Sequence, residues 1–170
     1  AVDTTKKIKK ENPNKVVSVL GELIHNSHVI SELENLGIKT LTSLPNKGEG
    51  VCIIRSHGES ADVFDEIQQK GFELVDLTCF DVKKVQNKAI ELAQKDFFVI
   101  ILGKKVHPEV KAICANAQNS AKNKDDIFVA ENLSALKENE DKIKAAEKVG
   151  VVLQTTQTKE YLMDVVDYLS

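Results

Sequence analysis

A chain of 170 residues, 42% hydrophobic and 29% charged, has the composition of a soluble globular protein, with room for one ordinary domain or two small ones. Its net charge of −3 argues against a general nucleic-acid surface, which needs clustered Lys and Arg, and no run of 18 or more apolar residues exists to span a bilayer. The three Cys are far apart and odd in number, so they make no disulfide framework; with no apolar leader in AVDTTKKIKKE, a reducing cytoplasm is the expected setting.

In chain order, a helical pattern over 1–11 leads to a strand over 15–20 (KVVSVL) that ends at Leu20-Gly21 and is followed by His25 and Asn26. Asn26 is a natural N-cap for a helix over 26–36, which Gly37 stops. Strands over 38–42 (IKTLT) and 51–55 (VCIIR) follow, the second running into Ser56, His57 and Gly58 before a helix over 60–70 that ends at Gly71. A strand over 73–77 (ELVDL) leads to Thr78 and Cys79, then a helix over 81–95 to a strand over 97–102 (FFVIIL). Leu102-Gly103 and His107 come next, with Pro108 and Glu109 in the first turn of a helix over 108–118. The remainder reads as a short strand over 127–130, a helix over 133–146, a strand over 149–154 (VGVVLQ) and a helix over 157–169. The charge run KENEDKIKAAEK (137–148) marks a solvated helix face.

Strands alternating with helices predict an α/β fold, a parallel sheet with helices on its faces and right-handed crossovers. Leu-Gly followed by three residues and a His occurs twice, with His25 and His107 82 residues apart. That spacing predicts two similar small α/β domains, 1–80 and 81–170, meeting near 79–82. The polar residues that follow the strands then collect at carboxyl ends, where open parallel sheets bind ligands. Three of the four His (His25, His57, His107) occupy such loops, and only His28 sits within a helix.

A lone His after a strand is more often structural than catalytic; three at equivalent positions favour function. His-Pro-Glu by itself is explained by helix-start chemistry, since Pro fixes φ and an acid meets the positive end of the dipole. Cys79 by itself reads as a small buried hydrophobe, and Cys52 and Cys114 read as core. Two chemistries suit the set. His25, His57 and His107 can offer neutral imidazoles to zinc. Alternatively, His side chains, helix N-termini and Thr hydroxyls can hold a phosphate or diphosphate while Glu109 moves a proton.

GELIHNSHVISELENLGI, RSHGES, DLTCFDVKKV, LGKKVHPEVKAI and LQTTQT occur in that order, and together they resemble the 4-hydroxy-3-methylbut-2-enyl diphosphate reductases, along essentially the whole chain. The resemblance implies three α/β domains about a pseudo-threefold axis, of which this chain would hold two. It implies two-electron reductive dehydroxylation of 4-hydroxy-3-methylbut-2-enyl diphosphate to isopentenyl and dimethylallyl diphosphate, the last step of the non-mevalonate isoprenoid pathway. The cofactor implied is a 4Fe–4S cluster held by three Cys, with ferredoxin or flavodoxin as electron donor. By the same resemblance Cys79 is a cluster ligand, and His25, His57 and His107 lie at the diphosphate. Glu109 carries protons to the carbon skeleton, and Thr155, flanked by Gln154 and Thr156, contacts the substrate beside it.

Phe80 stands where the family commonly has Pro, and Gln86 where a His is often found. The family's other two cluster Cys would fall before Ala1 and after Ser170, with an N-terminal strand and a third domain. The expectation is therefore that these 170 residues alone hold no stable cluster and have no reductase activity. Two alternatives stand beside it: a zinc-dependent hydrolase using His25, His57 and His107 with Glu109 as base, and a non-catalytic phosphate-binding module.

Overall fold

Short apolar, β-branched segments form the centre of each sheet. VSVL (β1, Val17–Leu20), VCII (β3, Val51–Ile54) and FVIIL (β5, Phe98–Leu102) are buried at every position, as parallel strands covered on both faces must be. The structure is a computed structural model that describes residues 2–21, 23 and 26–170. Within it the chain divides into two compact units, Ala1–Cys79 and Phe80–Ser170.

The first unit runs α1 (Val2–Glu11), β1, α2 (Ser27–Asn35), β2 (Ile38–Leu41), β3, α3 (Ala61–Gln69) and β4 (Glu73–Asp76), and its strands are parallel in the order β2-β1-β3-β4. Alternation along the strands feeds two cores. Val17, Val19, Val51 and Ile53 pack with Leu33 of α2 and with Val2 and Ile8 of α1. Leu20, Cys52 and Ile54 pack on the other face with Val63, Phe64 and Ile67 of α3.

The second unit repeats the plan with α4 (Phe80–Gln94), β5, α5 (Pro108–Ser120), a 3₁₀ turn (Lys124–Asp126), β6 (Ile127–Ala130), α6 (Leu133–Glu138), α7 (Glu140–Ala145), β7 (Val149–Leu153) and α8 (Lys159–Leu169). Its strands are parallel in the order β6-β5-β7. Val99 and Ile101 pack under α4 and α5 through Ala89, Leu92, Val110 and Ile113. Phe98, Ile100 and Leu102 face Leu136, Ile143 and Val165 from α6, α7 and α8. Burying side chains of this size stabilises by roughly 1.5–3 kcal/mol each.

Local chemistry sets the helix ends. The Asn26 side chain accepts from the N–H groups of His28 and Val29, which caps α2. Gly71 adopts φ 91° after α3. There the Gly71 N–H donates to Gln68 O at 2.9 Å and the Phe72 N–H to Ile67 O at 3.2 Å, a Schellman stop. One expectation fails: the helix predicted over 133–146 is broken at Asn139 into α6 and α7. The Asn139 side-chain amide donates to Ala135 O at 3.0 Å, giving the backbone an alternative to continuous helix. Among the described residues, no helix is long and apolar enough to cross a membrane.

Candidate functional site

In each unit a central strand is flanked on one side by a strand whose following helix lies on the opposite face. After β1 the chain turns to α2 on one face, and after neighbouring β3 it turns to α3 on the other. After β5 it turns to α5, and after neighbouring β7 to α8. Such switch points open a crevice at the carboxyl ends of the strands.

In the first unit, the Gly21 N–H donates to Leu41 O at 2.8 Å and the residue adopts φ 74°. The positive φ favours Gly, and a Cβ there would lie 2.6 Å from Cζ and Nη1 of Arg55 and would have to displace the guanidinium. His25 lies outside the described residues. His57 is half-buried in the turn after β3, and His28 is exposed on α2. The Arg55 guanidinium reaches Glu59 at 3.7 Å. Asp76 Oδ1 accepts from the Thr78 N–H at 2.9 Å and from the Thr78 hydroxyl. The Cys79 N–H donates to Ser56 O at 2.9 Å, tying the Cys79 loop to the His57 loop.

Cys79 itself is exposed, which corrects its reading as a small buried hydrophobe: it lies beyond the end of β4, an edge strand. Cys52 is fully buried, and burial pushes its thiol up to about 11. Cys114, half-buried on α5, is also pushed up by burial. An iron–sulfur cluster is held by accessible Cys side chains, and the exposed Cys79 fits as one ligand. Among the described residues, no group of three or more His, Cys, Asp or Glu side chains is arranged to hold a metal ion, so they do not form a complete ligand set.

The second unit joins its site residues in one hydrogen-bonded ring. His107 caps α5, its Nδ1 accepting from the Glu109 N–H at 3.2 Å. In the neutral ring the proton therefore sits on Nε2. Glu109 exposes 1% of its surface. Its Oε1 accepts from the Thr155 N–H at 2.7 Å and its Oε2 from the Thr155 hydroxyl at 2.9 Å, the pairing that a buried carboxyl requires. Gln154 is as deeply buried; its Oε1 accepts from the Lys104 N–H at 3.1 Å, and its Nε2 donates to the Thr156 hydroxyl at 3.0 Å. The His107 N–H closes the ring on Lys104 O at 2.9 Å.

The structure thus brings together His107, Glu109, Thr155, Gln154 and Thr156 in the second unit, and ties Cys79 to the loop of His57 in the first. Arg55 and the Lys104 amide are parts of these loops that the motifs did not single out. Strand register makes Arg55 the counterpart of Gln154, since each is the residue directly after the strand beside the Leu-Gly strand.

A doubly wound α/β protein with a buried acid next to a helix-capping His is the class that this geometry defines. The chain matches the LytB protein family over residues 1–170 and belongs to it. It is 42% identical over 130 residues to the 4-hydroxy-3-methylbut-2-enyl diphosphate reductase of Alkaliphilus oremlandii, covering 75% of this chain and 47% of that protein. It is 36% identical over 148 residues to the enzyme of that name from Geotalea daltonii, covering 87% and 49%. A solved structure of (E)-4-hydroxy-3-methyl-but-2-enyl diphosphate reductase, the terminal enzyme of the non-mevalonate pathway, is similar with a TM-score of 0.83 at 29% identity, over 99% of this chain and 57% of that one. The chain spans about half the length of the curated relatives it matches.

Proposed function

We propose that this chain is part of a reductase that converts 4-hydroxy-3-methylbut-2-enyl diphosphate to isopentenyl and dimethylallyl diphosphate. The observation that carries this reading is the buried Glu109 carboxyl, held on both oxygens by Thr155 beside the His107 cap, in a chain that matches the LytB family from end to end. Binding of the diphosphate falls to His25, His57 and His107. His107 offers an Nε2–H donor at the N-terminus of α5, where an anion is favoured. Cys79 would be one thiolate ligand of a 4Fe–4S cluster, which when bound would supply the redox and Lewis-acid chemistry. Ferredoxin or flavodoxin is the proposed electron donor.

Replacing a C–OH bond by C–H with release of water consumes two electrons and two protons. Glu109 is the proton carrier. The two bonds from Thr155 occupy one lone pair on each carboxyl oxygen and leave the others for a proton. Thr155 fixes the direction in which that proton leaves. The test is turnover with a chemical reductant in a protein of the relatives' full length that contains this chain. Glu109→Gln is expected to lower kcat by about 10²–10⁴, the usual contribution of a proton-transfer group, with diphosphate affinity retained. Unchanged turnover in that variant would sink the assignment of Glu109.

A further inference from the structure

We infer that Gln154 is a positioning residue that sets the tautomer and direction of His107 from the neighbouring strand. This rests on the proposed reading only in taking the His107–Glu109 pair to be functional. Gln154 exposes 2% of its surface, and both ends of its amide are engaged inside the protein, with the Lys104 N–H and the Thr156 hydroxyl. Each end of the amide therefore already has a partner inside the protein. Its bond to Lys104 is the first link of a continuous path. Lys104 O accepts the His107 N–H, His107 Nδ1 accepts the Glu109 N–H, and Glu109 returns to Thr155, the residue next to Gln154. Displacing the Gln154 amide opens that ring at its only buried side-chain amide.

Two independent features support the assignment. Gly103 lies against the Gln154 side chain so closely that a Cβ would sit 2.6 Å from Oε1 and 2.8 Å from Cβ of Gln154. Gly103 does not adopt a positive φ, so this contact, not backbone conformation, demands Gly there. The first unit, with a different side chain, does the same. Arg55, directly after β3, lies against Gly21 at the matching Leu-Gly turn. In each unit the residue after the switch-point strand braces the turn that leads to the His. On the other side of the second-unit loop, the Glu131 carboxylate accepts from the Lys105 N–H at 2.6 Å, but Glu131 is exposed and its bond competes with water.

The test uses this chain with ¹⁵N-labelled His, reading the imidazole nitrogens of His107 and the hydrogen exchange of the Lys104 amide. Wild type is expected to show His107 as the Nε2–H tautomer. Gln154→Met, which keeps the length and removes the amide, is expected to move His107 toward a mixture of tautomers and to speed Lys104 exchange by about 10-fold, the factor that one hydrogen bond corresponds to. Gln154→Glu retains an oxygen for the Lys104 N–H and is expected to keep both signals near wild type. Should Gln154→Met fail to fold, Gln154→Glu decides alone: retained signals support the brace, and lost ones overturn it. A His107 tautomer and Lys104 exchange that stay within twofold of wild type in folded Gln154→Met also overturn it. Neither readout depends on a cluster or on turnover, so failure of the reductase reading would leave this result intact and would show separately as absent turnover.

Discussion

A buried carboxyl needs partners, and Glu109 finds both in Thr155. The same logic, with the opposite outcome, separates the cysteines. Cys52 lies in the core, where burial pushes its thiol up from 9.0 to about 11, whereas Cys79 is exposed. At pH 8, iodoacetamide is expected to label Cys79 first and Cys52 only after unfolding, with mass spectrometry of the peptides as the readout. The pH dependence follows in sign. Between about 9 and about 11 the unfolded chain has released the Cys52 proton and the folded chain has not, so the unfolded state binds fewer protons and stability falls as pH rises. Below 9 the contribution is fully present. The loss is on the order of 2 kcal/mol across that window. Urea midpoints at pH 8 and pH 10.5 measure it, and Cys52→Val should remove this part of the decline. An equal decline in that variant would assign it to other groups.

At the scale of elements, two glycines test two different constraints. Gly71 holds φ 91°, and a Cβ there would meet nothing within 4 Å, so Gly71→Ala carries only the conformational cost, about 1–2 kcal/mol. Gly103→Ala has no such backbone penalty; its cost, roughly 1–3 kcal/mol, comes from driving Gln154 and Val110 away. Urea unfolding separates the two if Gly71→Asn recovers part of the loss and no polar replacement does so at Gly103. Helix stops at Gly37 and Gly71, the Asn26 cap and the Pro108 start were all legible, because each acts through bonds within a turn of itself. The break at Asn139 was not. Leu136 and Ile143 sit seven residues apart and suit one long amphipathic helix as well as two short ones, and only the Asn139–Ala135 bond tells them apart. The central strands beside the candidate site were plain in the sequence because β3 and β5 are continuous apolar runs and β1 is interrupted only by Ser18.

At the scale of the molecule, the repeat was half legible. His25 and His107 are 82 residues apart, but Arg55 and Gln154 are 99 apart, because α5 with its 3₁₀ turn lengthens the connection between β5 and β6, and α6 and α7 lengthen that between β6 and β7. A single offset therefore could not align the second half of each unit, and the counterpart relation of Arg55 and Gln154 came only from strand register. The same register bears on the thiols. Cys79 follows β4 at a carboxyl end, Cys52 lies inside β3 with its side chain in the core, and Cys114 sits within α5 against the core of the second unit. One exposed thiol serves one ligand position, whereas a 4Fe–4S cluster takes Cys thiolates at several irons. Anaerobic reconstitution of the 170-residue chain is therefore expected to leave it with well under one cluster. A protein of the relatives' length that includes it should reach about four irons with matching labile sulfide, and Cys79→Ser should abolish that binding. Full iron retained by Cys79→Ser in the longer protein would remove Cys79 from the ligand set. A full cluster on the short chain would mean that Cys52 or Cys114 leaves its core, which a collapse of the alkaline difference between wild type and Cys52→Val would reveal.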